Sequence, residues 1–497
     1  MFGEHPRVFR LLFFAQLLER FSSYGIVAIL VHYAKSEFGT AVRSPSDLVH
    51  MVVAVAFASA ILGSYATERL IGSRRCLILG ASLSSVGIAL LLSTRVQVFY
   101  GGLAAFVIGA GLFRHSIFAG VGSLYPEGKD SDALKRRGFT LSYLAINIGA
   151  LAGPLIASAT GEKAAAEGDA GAETFLGIDG SAGWRIGFAI AALTMVSCAA
   201  LLWRSRELLR EMETPTQPST VRLPILKSPL GTVVVYAAVA VILVWFGLQY
   251  EAVLGYSILT LAALTLGRIL WLGKGGDLET KQKLGALVLL LVVNSVFWAL
   301  FHQHFSSLNT LALDHVDRFV RGVEIPATAL QAINPVLFIA LGLGANALWK
   351  SLAGKTHNPP IPTLFGMGIT MMGLGYLVLV LGGRGVEDHG KIALVWLVLT
   401  YFFFTLGEIA TGPIGLFVAE RLIPDRGRGL ATGAFLLSIA VGNVIGKNVM
   451  ERIGEPSSPS ASDYLDTYEN VTWLTIALGA ALLLSSRWTN RLFHDVK

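Results

Sequence analysis

The chain has 497 residues, of which 54% are hydrophobic and 14% are charged, against roughly 25% charged residues in an average soluble protein. A water-soluble fold of this length needs more charge on its surface, so the composition excludes a soluble enzyme, a nucleic-acid-binding protein and a disordered chain. The formal net charge of +6 therefore needs a membrane explanation, and the two cysteines, Cys76 and Cys198, are too few for a disulfide framework.

Apolar stretches of bilayer-crossing length recur along the whole chain. A helix crosses a hydrocarbon core of ~30 Å in about 20 residues, and backbone groups in lipid must bond internally, which favours helices. The first stretch is too long for a signal peptide and is expected to be retained. The sequence thus predicts an all-α membrane protein with fourteen transmembrane helices. Their approximate limits are 8–34, 47–67, 76–94, 97–122, 138–160, 183–203, 230–249, 251–272, 284–310, 330–352, 362–383, 391–421, 428–450 and 469–486.

Lysine and arginine are unevenly distributed between the two ends of these spans. With the N-terminus inside, the inner connections hold 25 of them and the outer connections hold 11. This bias predicts an even number of spans in the inner (plasma) membrane, with both termini cytoplasmic. It also explains the basic charge balance without a nucleic-acid partner.

The spans fall into groups of six, two and six. Residues 204–229 are polar and contain four prolines, which predicts a cytoplasmic linker. The predicted division is an N-terminal six-helix bundle (1–203), this linker, an inserted helix pair (230–273) and a C-terminal six-helix bundle (274–497). Residues 161–182, small and mildly acidic, are expected to form an external loop.

The first span carries a stripe of polar residues. Offsets of 0, 3, 4, 7 and 8 place five of them on one helical face, and they are Gln16, Glu19, Arg20, Ser23 and Tyr24. Charged groups in a span are costly, so the stripe predicts a cavity lining. A structural Glu19–Arg20 pair that joins two helices is the alternative.

A charged segment connects the second and third spans on the predicted cytoplasmic side. Glu68, Arg69, Arg74 and Arg75 surround a glycine turn. Such a set can form ion pairs that break during gating. A positive cluster that only sets the membrane topology explains the same residues.

Spans four and five add further polar groups. Arg114 is a second intramembrane cation, expected near the carboxylate of Glu19. Thr140, Tyr143 and Asn147 are spaced for one helical face. Their pattern fits substrate contact and ordinary helix–helix hydrogen bonding about equally well.

The second half of the chain has two candidate sites. Trp298, His302 and Ser306 are spaced by four residues within one span, whereas His304 points elsewhere and is expected to be structural. Glu408 is an isolated carboxylate in an apolar run, which favours a functional role because a buried unpaired carboxylate is a liability. The sequence presents no metal cluster, catalytic nucleophile or phosphate loop, so neither a cofactor nor an enzymatic activity is expected.

The chain resembles the proton-dependent oligopeptide transporter family of the major facilitator superfamily, in its fourteen-span bacterial form. The resemblance lies in Gln16-Leu17-Leu18-Glu19-Arg20-Phe21, in the segment from Glu68 to Arg75, in the fifth-span run from Phe139 to Gly149, and in Thr405-Leu406-Gly407-Glu408 with the glycines that follow it. It implies a fold of two six-helix bundles plus two inserted helices.

The resemblance also implies residue roles. Arg20 and Glu408 would hold the carboxylate and amino ends of a peptide, assisted by Asn147 and Asn334. Glu19 would belong to a proton-linked ion pair.

Five positions depart from the family pattern. They are Gln16 for glutamate, Ser23 for tyrosine, Arg114 for lysine, His302 for glutamate and Phe435 for tryptophan. They cluster on positions tied to proton coupling and to the side-chain pocket, whereas the peptide-end positions are kept.

The remaining site predictions follow from the stripes and these departures. Tyr24 and Trp298 join the substrate-binding set. Arginine stays protonated in the working range, so Glu19 beside Arg114 is expected to be a poor proton carrier. The imidazole of His302, which titrates near ~6.5 when unperturbed, is the alternative.

The leading hypothesis is a secondary active transporter that takes up di- and tripeptides or peptide-like solutes with protons, by alternating access about a site between the bundles. One alternative is a divergent member that moves another small anion or zwitterion. Another is an exporter or facilitator with altered or absent proton coupling. A membrane-embedded sensor or enzyme would need a soluble domain or a nucleophile constellation, which the sequence lacks. The expected partners are the solute, protons and the lipid bilayer, and the expected state is a monomer.

Overall fold

The computed structural model describes residues 4–42, 45–125, 129–161, 163–164, 173–174, 181–212, 228–352, 359–384, 390–424, 427–453 and 460–494. These residues are almost all helical. The α-helices are α1 (Arg7–Phe38), α2 (Pro45–Ala58), α3 (Ala60–Tyr65), α4 (Gly72–Leu90), α5 (Val96–Ser123), α6 (Lys129–Gly161), α7 (Ser181–Arg204), α8 (Pro229–Gly247), α9 (Glu251–Leu272), α10 (Leu278–Phe301), α11 (Ser307–His315), α12 (Ile333–Leu352), α13 (Ile361–Gly383), α14 (Leu394–Arg421), α15 (Arg428–Ile453) and α16 (Ala461–Thr489).

Shorter elements connect these helices. A π-helix spans Ala66–Ile71. The 3-10 turns are Gly39–Ala41, Leu208–Met212, His302–Phe305, Thr328–Ala332 and Asn490–Phe493. Six two-residue strands form three pairs, which are β1 (Lys163–Ala164) with β2 (Glu173–Thr174), β3 (Val316–Asp317) with β6 (Ile392–Ala393), and β4 (Phe319–Val320) with β5 (Val323–Glu324).

The chain forms two compact units. Unit 1 comprises Met1–Gly161 and Leu176–Ile258, and unit 2 comprises Glu162–Phe175 and Leu259–Lys497. The boundary between them falls inside α9. The start of the predicted linker belongs to the core of unit 1, since Leu209 and Met212 are fully buried. Residues 213–227 of that linker lie outside the described residues, as does most of the predicted external loop.

Glycines let α6 pack directly on α1 in unit 1. A side chain at Gly149 would place its Cβ 2.6 Å from the carbonyl oxygen of Leu17 and 2.7 Å from Cβ of Arg20. One turn later, Gly153 faces Gly25, and a Cβ there would lie 2.8 Å from the Gly25 nitrogen. Small residues allow such backbone approach between membrane helices. The close contact of α1 and α6 therefore includes the functional candidate Arg20.

The segment that contains α2 and α3 runs parallel to α5. Ser59 Oγ donates a hydrogen bond of 2.8 Å to the carbonyl oxygen of Val107. Two turns further along both helices, Thr67 Oγ1 and Ser116 Oγ share a hydrogen bond of 2.9 Å. Residue numbers rise together along this contact, so the two segments point the same way.

Helix α4 runs in the opposite direction. Gly80 packs against Gly109, whereas Gly87 packs against Gly102 nearer the start of α5. The chain reverses direction between the α2–α3 segment and α4 at Gly72, whose φ of +79° is readily adopted only by glycine. The helical stretch 47–90 therefore contains two antiparallel helical segments, which favours the predicted spans 47–67 and 76–94.

The ninth predicted span, 284–310, is not one continuous α-helix. After α10 the chain tightens into the 3-10 turn His302–Phe305 and resumes as α11. Gln303 Nε2 donates 3.0 Å bonds to the carbonyl oxygens of Ala299 and Gly446. The bond to Gly446 joins the break to α15, and residue spacing alone does not reveal it.

Twelve helical stretches of the described chain are long and apolar enough to cross a membrane. One of them is the stretch 47–90 with its two antiparallel segments. A shorter apolar helix, Thr328–Gly342, corresponds to the predicted span 330–352, whose helix α12 has 20 residues. The chain is thus an all-α multi-pass membrane protein. The count of fourteen spans stays a prediction that both observations favour.

Candidate functional site

Glu19 lies between two arginines inside unit 1. Its Oε2 is 3.3 Å from Arg20 Nε on the same helix, and its Oε1 is 3.3 Å from Arg114 Nε on α5. Ser23 Oγ donates a further 2.7 Å hydrogen bond to Oε1. All four side chains are buried. The predicted proximity of Arg114 to the first-span stripe is therefore observed as an ion-paired triad.

The other members of the stripe border this triad. Gln16 is 1% exposed, and its Nε2 has no hydrogen-bond partner among the described residues. Tyr24 is half-buried and interacts electrostatically with Arg114. The guanidinium of Arg114 also lies over the ring of Phe57, 5.1 Å from its centroid, which is a cation–π contact.

Asn147 lies on helix α6, and its side-chain amide forms a hydrogen bond within the same helix. Asn147 Nδ2 donates a 3.0 Å bond to the carbonyl oxygen of Tyr143, one turn earlier on the same helix. Asn147 is buried, Tyr143 is half-buried and Thr140 is exposed. The three predicted residues therefore differ in environment along one helix.

The charged segment after α3 contacts a histidine that spacing did not pair with it. Glu68 lies in the π-helix with its Oε1 3.9 Å from Nε2 of buried His115. Arg74 Nη1 donates a 3.4 Å bond to a backbone carbonyl just after α7. Arg69 is half-buried, and Arg75 is exposed. The pairing links residues 47 positions apart, so local periodicity gives no signal for it.

In unit 2, Glu408 and Asn334 are brought together. Asn334 Nδ2 donates hydrogen bonds to Glu408 Oε2 at 2.9 Å and to Thr405 Oγ1 at 3.1 Å. Both Asn334 and Glu408 are buried. An amide from α12 thus orients the carboxylate of α14. Arg20 lies in unit 1 and Glu408 in unit 2.

Trp298 and His302 keep their predicted proximity. Their ring centroids are 4.8 Å apart. Ser306, expected on the same stripe, lies beyond the 3-10 turn, where its hydroxyl donates to Gln303 at 3.5 Å. His304 Nδ1 lies 2.7 Å from the carbonyl oxygen of Phe301, which fits its expected structural role.

Asn443 of α15 is a site residue that the sequence did not reveal. His302 Nδ1 lies 2.9 Å from Asn443 Nδ2 and 3.1 Å from its Oδ1. The amide nitrogen can donate to a bare Nδ1, and the amide oxygen can accept from a protonated one. Nearby, Asn294 accepts from Trp298 Nε1 at 3.1 Å and donates to Ser438 at 2.8 Å. These hydrogen bonds join residues far apart in the sequence. The sequence therefore signalled Asn443 only as an isolated asparagine in an apolar span.

The first residues before α1 dock against the end of α5. His5 Nδ1 and Tyr125 Oη share a 2.6 Å hydrogen bond. Burial lowers the pKa of His5; the charge of Glu4 has a smaller raising effect, and Arg137 a smaller lowering one. Burial raises the pKa of Tyr125 to about 12. Both groups are therefore neutral near pH 7, and no charge is buried at this contact.

No group of three or more His, Cys, Asp and Glu side chains within the described residues could hold a metal ion.

Comparisons with known proteins agree over nearly the whole chain. The model of the POT family matches residues 50–468. Dipeptide and tripeptide permease A of Citrobacter koseri is 25% identical over 506 residues, covering 99% of this chain and 94% of that protein. Peptide transporter YePEPT of Yersinia enterocolitica is 29% identical over 467 residues, covering 89% of this chain and 87% of that protein.

Solved structures give the same result for the fold. This chain is similar to a mutant of the peptide transporter POT in complex with alafosfalin, with a TM-score of 0.80 and 24% identity. The similarity covers 100% of this chain and 97% of that one. It confirms the predicted all-α transporter fold.

Proposed function

Because the chain belongs to the POT family of membrane transporters, we propose that it takes up di- and tripeptides or peptide-like solutes together with protons, by alternating access. The observation that carries this proposal is the buried Arg20–Glu19–Arg114 triad. Charged groups inside membrane helices are costly and mark solute or ion pathways. The names of the two relatives support peptides as the solute class.

We assign the two ends of the peptide to the two units. Arg20 binds the carboxylate, for which its planar guanidinium is suited. Glu408 binds the ammonium group, and Asn334 orients it through the 2.9 Å bond. Asn147, Tyr24 and Trp298 complete the substrate-binding set.

The assignment of Glu408 predicts a dependence on the free amino group. Peptides with an acetylated amino end should compete poorly for uptake of a labelled dipeptide. Equal competition by free and acetylated peptides would contradict the role of Glu408.

Proton coupling is assigned to His302. Glu19 already pairs with two permanently charged guanidiniums, which favour its ionised form. His302 instead faces an amide that can bond its Nδ1 with or without a proton. We further propose that Glu68, with the arginines around it, controls the cytoplasmic gate.

A second candidate function is facilitated transport or exchange without protons. The two arginines beside Glu19 favour this alternative, because they keep Glu19 ionised and so make it a poor proton carrier. A transported small anion or zwitterion other than a peptide belongs to the same alternative.

The proposed setting is the inner (plasma) membrane, with both termini cytoplasmic and a monomer as the working unit. The proposed organisation is two six-helix bundles (1–203 and 274–497) with linker 204–229 and inserted pair 230–273.

Uptake into proteoliposomes tests the proposal. A mixed panel of di- and tripeptides is offered with and without an inward proton gradient. Accumulation of peptide above equilibrium only with the gradient is expected. Gradient-independent equilibration would favour the facilitator, and no uptake of any peptide would exclude peptides as the solute.

A further inference from the structure

The polar cluster of unit 1, which we call the arginine cluster, consists of Gln16, Glu19, Arg20 and Arg114. Two guanidiniums stand against one carboxylate, so the cluster carries one surplus positive charge. Both arginine side chains are 7% exposed and the Glu19 side chain is 1% exposed. A buried surplus charge is costly and calls for an anion.

Other titratable groups around the cluster do not cancel this charge. The groups that act on Arg114 are Arg20, Glu19 and the phenol of Tyr24. From α7, Cys198 interacts with Glu19. From α2 the contact is the uncharged ring of Phe57, and α6 approaches Arg20 at Gly149, which has no titratable side chain. Phenols and thiols titrate above the range of pH 5.5 to 7.5, near about 10 and about 8.5 when unperturbed.

The one imidazole next to this position in sequence is engaged elsewhere. His115 follows Arg114 on α5, and its charged contact is Glu68 at 3.9 Å. The charge of the cluster is therefore set by groups that keep their state between pH 5.5 and 7.5.

The cluster also has hydrogen-bond donors to spare. Arg20 Nε is buried without a hydrogen-bond partner among the described residues, although it lies 3.3 Å from Glu19 Oε2, which has no hydrogen bond there either. Gln16 Nε2, one turn before Arg20 on α1, is buried and has no partner there either. A buried donor without an acceptor costs about 1–3 kcal/mol. Surplus donors and surplus positive charge both match a carboxylate.

Arg20 is already assigned to the carboxylate end of the solute; we propose that the arginine cluster keeps its surplus positive charge from pH 5.5 to 7.5 and therefore binds that carboxylate without taking up a proton. The inference rests on the proposed transport function and adds to it the charge of the solute group and its independence of pH. A single negative charge completes the neutralisation, so the matching solutes carry one carboxylate at this end.

Gln16 makes the proposal testable by a change of charge. Gln16→Glu adds a carboxylate and removes the surplus, so solute binding would then require protonation of the cluster. Affinity linked to one proton changes about tenfold per pH unit. The variant should therefore acquire an acid-favoured affinity that the natural protein lacks.

The measurement is the dissociation constant of alanylalanine and of N-acetylalanine for the full-length protein at pH 5.5, 6.5 and 7.5. N-acetylalanine lacks an ammonium group and so reports on the carboxylate site alone. The dissociation constant of N-acetylalanine for the natural protein should vary less than about twofold across this range. For Gln16→Glu, binding of N-acetylalanine should become about tenfold weaker between pH 6.5 and 7.5.

Two variants serve as controls. Gln16→Met removes the donor without adding charge, so its affinity should be lower but still independent of pH. Gln97→Glu makes the same chemical change at an exposed position of α5 and should leave the natural profile intact. If Gln16→Glu does not fold, the natural protein and Gln16→Met still decide the question.

The possible outcomes separate this inference from the proposed function. A natural protein whose affinity for N-acetylalanine rises steeply on acidification overturns the permanently charged site while peptide transport stands. The permanently charged site is also overturned if Gln16→Glu folds and its affinity for N-acetylalanine does not change with pH. Absence of binding by both probes, together with absence of peptide uptake by proteoliposomes, overturns both.

Discussion

Glu19 and Glu408 are both buried carboxylates within membrane-crossing helices, yet their surroundings differ in kind. Glu19 lies between two guanidiniums, whereas Glu408 accepts a hydrogen bond from the neutral amide of Asn334. The sequence predicted both carboxylates and the approach of Arg114, because buried charge is rare enough in a span to be recognised. It did not predict Asn443 beside His302, because amides are tolerated in many helix contacts.

The identity of the Arg20 cation should matter more than its charge. Arg20→Lys keeps one positive charge but loses the planar fork that binds a carboxylate at two points. Peptide affinity, measured by competition against a labelled dipeptide, should fall about tenfold or more, as expected for the loss of one good charge-assisted bond. Unchanged affinity in Arg20→Lys would mean that Arg20 serves Glu19 and not the solute.

The proton role of His302 should appear in accumulation and not in exchange. His302→Gln removes the titratable ring, so gradient-driven accumulation of peptide should be lost while counterflow of labelled for unlabelled peptide persists. Asn443→Leu, which removes the amide partner of Nδ1, should reduce accumulation in the same direction. Accumulation that survives in His302→Gln and vanishes in Glu19→Gln would return the proton to the first helix.

The contact between His5 and Tyr125 should make the free energy of unfolding depend on pH. Burial lowers the pKa of His5 in the folded chain, so the unfolded chain binds more protons as pH falls below about 6.5. The contact is intact above that pH, and its contribution should be lost as pH falls through the lowered value. Thermal unfolding of the natural protein should therefore lose more stability between pH 7 and 5 than that of His5→Phe. Equal losses in both proteins would contradict the assignment.

At the scale of elements, apolar length and glycine pattern predicted where helices lie but not how each one is wound. The π-helix Ala66–Ile71 begins at the end of the predicted span 47–67, and the 3-10 turn His302–Phe305 interrupts the predicted span 284–310. Hydropathy reports that a residue is in the membrane, whatever the hydrogen-bond register of its backbone. The register in the second case depends on the bond from Gln303 to Gly446, which joins positions far apart in sequence.

The contact of α1 with α6 should be sensitive to a single methyl group. In Gly149→Ala the new Cβ would lie 2.6 Å from the Leu17 carbonyl oxygen and 2.7 Å from Arg20 Cβ, so α1 must move. We expect a loss of about 1–3 kcal/mol in stability and weaker peptide binding, because Arg20 moves with its helix. Thermal unfolding and peptide affinity measure the two effects.

A matched control is available on α9. Gly267→Ala introduces the same methyl group where nothing lies within 4 Å. It should leave peptide affinity unchanged and can add up to about 1 kcal/mol of helix stability. Similar losses in both variants would mean that helix glycines in general, and not the α1–α6 crossing, explain the result.

For the whole molecule, composition and charge distribution carried most of the prediction. The low charge content predicted a membrane protein, and the family comparison agrees. The number of spans depends on two places in the chain. The stretch 47–90 is one apolar helical run that contains a reversal at Gly72, and the predicted span 330–352 corresponds to α12, whose crossing of the membrane is untested.

The sidedness of four positions tests the count of fourteen and the orientation together. We expect Val323→Cys, between α11 and α12, and Arg384→Cys, after α13, to react with a membrane-impermeant maleimide in intact cells. Glu4→Cys and His494→Cys should react only after permeabilisation. All four positions are exposed, and both native cysteines are buried, so background labelling is low. If α12 does not cross, Arg384→Cys moves to the cytoplasmic side and His494→Cys to the outside, because every later span reverses. Labelling of Glu4→Cys and His494→Cys in intact cells, with the other two protected, would keep fourteen spans but invert the charge-based orientation.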